Sequence, residues 1–415
     1  MAELSPIFTH LTPDQRRWVR AASSVAGDLG CEAYLVGGVV RDLALGRESR
    51  DMDLTVVGDA SRFAEQLAER LEGKVVGRSQ FLTYKISLGE AVLDVATARR
   101  ETYERPGALP SVSPGTLQDD LARRDFSINA MAVALDGETF DGPIDPFNGR
   151  DDLRAGLVRV LHPESFIDDA TRIIRAVRYA TRLGFRIEPG TREALLRGLR
   201  HLDDISADRL RQEFELMLGE ANLAAIVESA LGLGVLKAVH PSLEPDPVGL
   251  NAIRRLDDEP PSEERGLVAI SLLASGGTES DITSLALRLN LGSRWRTVIQ
   301  DARRLDGVVG SLARSQPANS ELYEKLAIYD GAAIRSVMLA SEDAVAAETL
   351  ALFLNELSRV ETELRGEDIL AMGVEQGPAV GELLRELKAA RLDGAVTDRS
   401  GEERFVRELI ARGTP

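Results

Sequence analysis

A chain of 415 residues with 44% hydrophobic and 28% charged side chains is too long for one ordinary core and too apolar to be disordered, so several globular domains are expected. One cysteine, Cys31, excludes an internal disulfide and a cysteine-based zinc site, and four histidines leave little room for imidazole metal chemistry. The formal charge of −17 excludes indiscriminate attraction to nucleic acid, so any RNA contact must come from a local basic surface.

The N-terminal stretch MAELSPIFTHLTPDQRRW lacks a basic-then-apolar signal pattern, and no apolar run reaches the roughly 18 residues a membrane helix needs. A cytoplasmic protein without a membrane span is expected. Up to about Pro146, short β-branched runs (AYLVGGVV, DLTVVG, TYKISLG, AVLDVAT, INAMAVAL) are interrupted by an amphipathic helix around ASRFAEQLAERLEG. Beyond about Asp151, helical patterns take over, from DDATRIIRAVRYATRLG to GEERFVRELIARG. The fold class that follows is an α+β head, a mixed sheet with helices, followed by all-α segments. We place the divisions at 1–150, 151–218, 219–330 and 331–415. DDEPPSEERG, from Asp257, is expected to be a solvated loop between helices.

The stretch YLVGGVVRDLALGRESRDMDLTVV, Tyr34 to Val57, carries the first chemistry. Strand side chains alternate faces, so Asp51 and Asp53 project together while Met52 and Leu54 face the other way. A same-face carboxylate pair repels itself unless a cation neutralises it, and oxygen-only ligands suit Mg²⁺. Exposed aspartates guarding an edge strand are the alternative reading. Asp94, inside the apolar strand AVLDVATARR, is equally unexpected there and is positioned to complete the cluster from a neighbouring strand.

Gly37 and Gly38 end one strand and open a short helix, where backbone amides meet phosphate readily. Arg41 adds a fork of donors, and Asp42 caps or pairs. In RRDFSINA, Arg123, Arg124 and Asp125 precede an apolar element. We expect one arginine to reach phosphate or ribose while Asp125 pins its guanidinium. Asn129 is expected to be structural, fixing a turn.

In DDATRIIRAVRYATR, Asp169, Arg172, Arg175, Arg178 and Arg182 recur at spacings of three and four, which predicts one broad helical stripe. Such a stripe is ordinarily a solvated face. Its alternative use is recognition, with an Asp acceptor beside an Arg donor fork.

GGVVRD…GRESRDMDL, LDVATARRETY, DDLARRDFSINAMA, DPFNGRDDL and DDATRIIRAVRYATRLGF, in that order, resemble the class II tRNA nucleotidyltransferases (CCA-adding enzymes) and bacterial poly(A) polymerases. The resemblance covers roughly residues 34 to 215, and more loosely the tail around GEDILAMGVEQGPAVGELL. It implies a nucleotidyltransferase catalytic head, a helical neck with a nucleotide-selecting helix, a helical body and a tRNA-binding tail. It also implies template-independent addition of CCA, or part of it, to tRNA 3′ ends from CTP and ATP. By motif match Asp51 and Asp53 would hold Mg²⁺, with Asp94 as the third catalytic carboxylate. Gly38, Arg41 and Arg124 would contact the nucleotide. Asp169 and Arg172 would read the base edge, with Arg175 and Arg178 continuing toward phosphate. Asp168 stands where the family usually has Glu, and Ala170 where it commonly has Pro, which puts the helix start in question.

The segment between Thr97 and Asp120, TARRETYERPGALPSVSPGTLQDD from its first residue, reads as a long loop. It resembles the flexible loop of enzymes that add the terminal A, which favours CCA addition or A addition alone over CC addition. A poly(A) polymerase and a noncatalytic RNA-binding protein are the remaining alternatives. In the tail, Gly377, Pro378 and Gly381 open a helix that carries Lys388 and Arg391, either a simple Pro-initiated helix or an approach for RNA backbone. Trp18 and Trp295 are expected to be packing anchors.

Overall fold

The computed structural model describes residues 10–49, 52–135 and 142–413, and the chain divides into two compact units. The first is Met1–Glu213 with Gly232–Ala238, and the second is Phe214–Leu231 with Val239–Pro415.

In the first unit, helix α1 (Pro13–Leu29) starts from a capping box in which Thr12 and Gln15 satisfy each other's backbone amides, and it stops at left-handed Gly30. Then come β1 (Glu32–Val36), α2 (Gly38–Ala44), β2 (Asp53–Val57), α3 (Ala60–Arg70), β3 (Lys74–Arg78), β4 (Thr83–Leu88) and β5 (Ala91–Thr97). The strands β6 (Arg99–Thr102) and β7 (Ser111–Pro114), α4 (Leu117–Ala122) and β8 (Ala132–Ala134) follow. The main sheet has the order β3-β4-β5-β2-β1-β8. Of its pairings only β2 with β5 is parallel.

One face of this sheet is apolar because the strands alternate: Leu54, Val56, Leu93 and Val95 are buried on it. α1 and α3 pack on this side, burying Val19, Ala22 and Val25 from one and Phe63, Ala64 and Leu67 from the other. The opposite face is left to polar groups, which is what frees it for chemistry.

The segment expected to be a loop after Thr97 is a two-stranded hairpin, β6 with β7. Its tip docks closely: a Cβ at Gly107 would lie 2.5 Å from the Asp204 carbonyl oxygen, at a φ of +70°. A Gly and Pro signal was read as irregular backbone, whereas Arg99–Thr102 and Ser111–Pro114 find partners in each other.

The remainder of the unit is α5 (Gly149–Ala155), β9 (Leu157–Val158), α6 (Ser165–Asp168), α7 (Thr171–Leu183), β10 (Arg186–Ile187), α8 (Pro189–Gly198) and the part of α9 (Ala207–Leu218) up to Glu213. α7 buries Ile173, Ile174, Ala176, Val177 and Ala180, and ends at left-handed Gly184.

The second unit is helical. Glu263–Leu273, Ser293–Ser315, Gly331–Ala340 and Ala344–Asn355 pack on one another. The sequence from Asp257 is only partly a loop, because Ser262 caps a helix that begins at Glu263. Two residues later the fully buried Arg265 donates to the carbonyls of Leu256, Glu220 and Ala221 and to Asp257. Its charge is thus surrounded by acceptors, the condition for burying a guanidinium. Trp295 packs over Gly266, where a Cβ would stand 3.3 Å from the indole. The C-terminal helices close a core of Leu364, Ile369, Leu383, Leu387, Val406 and Leu409. Lys388 lies over the Tyr323 ring at 4.1 Å, and Arg391 pairs with Glu402 and Glu363. Both tail cations therefore have partners inside this unit. Among the described residues, no helix is long and apolar enough to cross a membrane.

Candidate active site

The polar face of the main sheet carries the carboxylates. Asp53 and Asp94 are direct register partners on the parallel strands β2 and β5. Their neighbours Leu54 and Val95, also partners, are buried on the opposite face. The alternation that places Leu54 in the core therefore sets Asp53 beside Asp94. Met52 is buried as well, and Asp51 lies outside the described residues. Lys85 on β4 is the register partner of Asp94 from the other side, and its ammonium donates to both Asp94 oxygens at 2.8 and 3.0 Å. Sequence reasoning missed Lys85, because a lone lysine in a half-exposed strand looks like ordinary solvent-facing chemistry.

Next to this row, Gly37 turns the chain from β1 into α2 at φ +77°, with its amide donating to the Met131 carbonyl at 3.2 Å. Glycine is required here twice over. The backbone is in the region that L side chains avoid, and a Cβ would lie 2.6 Å from Arg124 Nη1. Gly38 is the first residue of α2, 3.5 Å by its Cβ position from Arg41 Nη2. The glycine pair and Arg124 are thus brought together.

Asp120, fully buried in α4, holds the arginines of the RRD motif. It accepts from Arg123 Nε and Nη2 at 2.9 and 2.8 Å, from Arg124 Nη2 at 3.0 Å, and from Thr55 on β2 at 3.4 Å. Burial opposes its ionisation, but Arg124 and Arg123 outweigh that and hold its carboxyl below the usual range. The sequence signal was present and unread: Asp120 stands three and four residues before the two arginines. Arg124 Nε is buried with no partner among the described residues.

Contrary to the expectation that it would pin an arginine of its own motif, Asp125 pairs with Arg175 on α7. It accepts from Arg175 Nε and Nη2 at 2.9 and 2.7 Å and from Asn129 Nδ2 at 3.0 Å. Asn129 in turn accepts from Arg41 Nη1 at 2.7 Å, and Arg41 Nε donates to Asp42 at 2.8 Å. At the other end, Glu213 accepts from Arg175 at 3.1 Å and Arg178 at 2.8 Å. Arg41, Asn129, Asp125, Arg175, Glu213 and Arg178 therefore form one polar chain. Physically, cations crowded on one helical face need counter-charges once buried, and Asp125 and Glu213 provide them. Tyr179 lies at their centre, with the guanidinium carbons of Arg41, Arg175, Arg178 and Arg182 at 5.3, 5.4, 5.6 and 4.8 Å from its ring centroid. Burial lowers and Asp125 raises the Arg175 pKa, and the net direction is strongly up. Arg41, Arg175 and Arg178, expected from the resemblance to reach toward the nucleotide, each have protein partners within this unit.

Asp169 precedes the stripe rather than belonging to it, because α7 starts at Thr171 and Asp169 is extended at φ −144°. Its Oδ1 accepts from the Thr171 amide and hydroxyl at 3.0 and 2.7 Å, a local turn that fixes the helix entry where the usual proline is missing. Its Oδ2 pairs with Arg209 on α9 at 2.7 Å, and Arg209 also donates to the Gly107 carbonyl at the hairpin tip at 3.1 Å. Arg172 is buried, donating to Ser165 Oγ at 2.6 Å and to the Arg123 carbonyl at 2.7 Å. Burial raises the Asp168 pKa against the pull of His162, whose ring stands 3.6 Å away.

Among the described residues no group of three His, Cys, Asp or Glu side chains is arranged to hold a metal ion. The Asp53 and Asp94 pair presents hard oxygen donors side by side, the donor set a hard divalent cation takes.

A nucleotidyltransferase head is the class that this sheet, glycine turn and carboxylate row define. The family model for the Poly A polymerase head domain matches residues 33–159, and the model described as a probable RNA and SrmB-binding site of polymerase A matches residues 184–246. The CC-adding tRNA nucleotidyltransferase of Deinococcus radiodurans is 32% identical over 97% of this chain and 96% of its own length. The A-adding tRNA nucleotidyltransferase of Geobacter sulfurreducens is 32% identical over 96% of this chain, which spans only 48% of that relative. A solved Thermotoga maritima CCA-adding enzyme complexed with tRNA superposes with a TM-score of 0.75 at 27% identity, covering 98% of this chain and 97% of that one. The chain belongs to the class II tRNA nucleotidyltransferase family.

Proposed function

We propose that this protein extends tRNA 3′ ends without a nucleic-acid template, adding CCA or its terminal part from CTP and ATP, in the cytoplasm. The observation that carries the reading is the register pairing of Asp53 with Asp94 on the polar face of the sheet, beside a glycine turn backed by Arg124. The RNA 3′-hydroxyl oxygen attacks the α-phosphorus, the bond to the β-phosphate oxygen breaks, and pyrophosphate leaves. Asp53, with Asp51 by its motif position, and Asp94 would hold Mg²⁺. When bound, the ion supplies a lowered hydroxyl pKa and charge neutralisation of the triphosphate. Asp94 would complete the ion's carboxylates or take the hydroxyl proton. Gly38 and Arg124 cradle phosphate. Asp169 and Arg172 offer an acceptor and a donor fork to the base edge, while the chain from Arg41 through Arg175 to Arg178 fixes α7 against the head.

Addition of A alone is a second reading, favoured by the full-length match of this chain to part of the Geobacter A-adding enzyme. Incubating the protein with tRNA lacking one, two or three 3′ nucleotides, with CTP and ATP supplied separately and together, distinguishes the readings. The CCA reading predicts extension of all three acceptors, and A addition predicts extension only of tRNA ending in CC. Extension of generic RNA as well as of tRNA points to a poly(A) polymerase, and no extension of any acceptor overturns the proposal.

A further inference from the structure

Strands β3, β4, β5 and β2 carry one continuous row across the sheet: Gly77, Lys85, Asp94 and Asp53 are successive register partners. Register partners share a face, so the lysine and both carboxylates project to the same side. At Gly77 no side chain competes for that side, and the Lys85 stem lies against the space where a Cβ would be, 3.5 to 3.7 Å away. The ammonium takes both Asp94 oxygens. Among the described residues no other cation pairs with Asp94, which is two-thirds covered, with 35% of its side chain exposed against 56% for Lys85.

The packing of this lysine is limited to its stem over Gly77. Its ammonium acts on charge. Two adjacent carboxylates repel each other. A lysine that donates to both oxygens of one of them biases that carboxylate toward its place beside the other. A divalent cation that enters between Asp53 and Asp94 shares the Asp94 carboxylate with Lys85, and the two positive charges compete for it. The exposure of the pair makes this exchange possible, since a solvent-open ion pair holds its partner only weakly.

We infer that Lys85 is a positioning residue for the carboxylate pair, holding Asp94 in place while the site is empty and competing with the divalent cation for its oxygens on loading. The inference rests on the proposed role of Asp53 and Asp94. It predicts that removing the competitor tightens cation binding and that the effect passes through Asp94.

The test is direct binding of Mn²⁺ to the full-length protein without nucleotide or RNA, followed by electron paramagnetic resonance of the free ion. Lys85→Met should lower the Mn²⁺ midpoint by about fivefold, the scale of an exposed ion pair, and Lys85→Arg should restore the wild-type midpoint. The decisive arm is the cycle with Asp94→Asn: in that background Lys85→Met should change nothing further, because contact with Asp94 is the only route by which Lys85 acts. Unchanged binding in Lys85→Met, or an equal shift with and without Asp94, overturns the inference, the latter showing a general field effect of one positive charge. Wild-type binding by Asp94→Asn would instead remove the carboxylate pair itself as the cation site, and the role of Lys85 falls with it.

Discussion

Arg175 donates to one oxygen of Asp125 from two nitrogens, at 2.9 and 2.7 Å, across 50 residues of sequence. This pair joins the RRD motif to α7 and so ties the face bearing the carboxylates to the helix proposed to select the nucleotide. Burial works against the Asp125 charge, but Arg175 and Asn129 more than offset it, and the carboxyl lies below its ordinary 3.8.

Asp120 is shifted the same way, so the sign of the pH dependence is fixed. A carboxyl with a depressed folded pKa contributes stability that is complete above its unfolded value and is lost as pH falls through the folded one. Urea unfolding should therefore show little change down to about pH 4 and a steep loss below it. Asp125→Asn should be less stable at neutral pH by about 1–3 kcal/mol, because Arg175 loses its charged partner. It should also show a shallower acid limb. An acid limb as steep as that of the wild type would place the titrating groups elsewhere.

Asp53→Asn and Asp94→Asn remove charge from the sheet face without touching its apolar side. Each should lower nucleotide addition by more than the roughly hundredfold that loss of a ligand's supporting partner costs, with the thermal midpoint close to wild type. Activity within tenfold of wild type in both variants, with saturating Mg²⁺, would show that the pairing of these strands is not the catalytic arrangement.

In the second unit, Arg265 is the fully buried charge on which three carbonyls and Asp257 converge. Arg265→Ala leaves those acceptors without donors and opens a cavity, so a loss of about 3–5 kcal/mol is expected in the denaturant unfolding of this unit. Turnover per folded molecule should stay at the wild-type value. A loss below about 1 kcal/mol would mean that water replaces the guanidinium without cost.

How far these relationships could be read from residues alone depended on their range. The head was legible because alternation is local: Leu54 and Val56 against Asp53 and Thr55 specify a face, and Asp94 in an apolar run marks its neighbour strand. The parallel register of those strands was not, since it joins residues about 40 positions apart that meet only once both strands are in the sheet. The partners of the arginines were not legible for a related reason. Arg175 and Arg178 have helical spacing in the sequence, but their partners Asp125 and Glu213 lie 50 and 35 residues away, and spacing carries no information about counter-charges that distant. Asp169 was assigned to the helix by the same rule of three and four, whereas it precedes α7 and its side chain fixes the helix entry by accepting from Thr171.

The central claim is that base selection and catalysis use separate groups of one unit, and Arg172 tests it most directly. Because Arg172 also donates to Ser165 and to the Arg123 carbonyl, Ser165→Ala serves as the control for a merely structural effect. Single-turnover incorporation of all four nucleotides should be measured for wild type, Arg172→Ala, Ser165→Ala and Arg124→Ala on tRNA acceptors lacking 3′ nucleotides. Arg172→Ala should narrow the preference for CTP and ATP over UTP and GTP by about 1–3 kcal/mol, the discrimination carried by a bidentate contact to a base edge. Arg124→Ala should slow all four alike, and Ser165→Ala should keep wild-type ratios. Wild-type ratios in Arg172→Ala, with slower turnover or lower stability alone, would contradict the account and make α7 a scaffold.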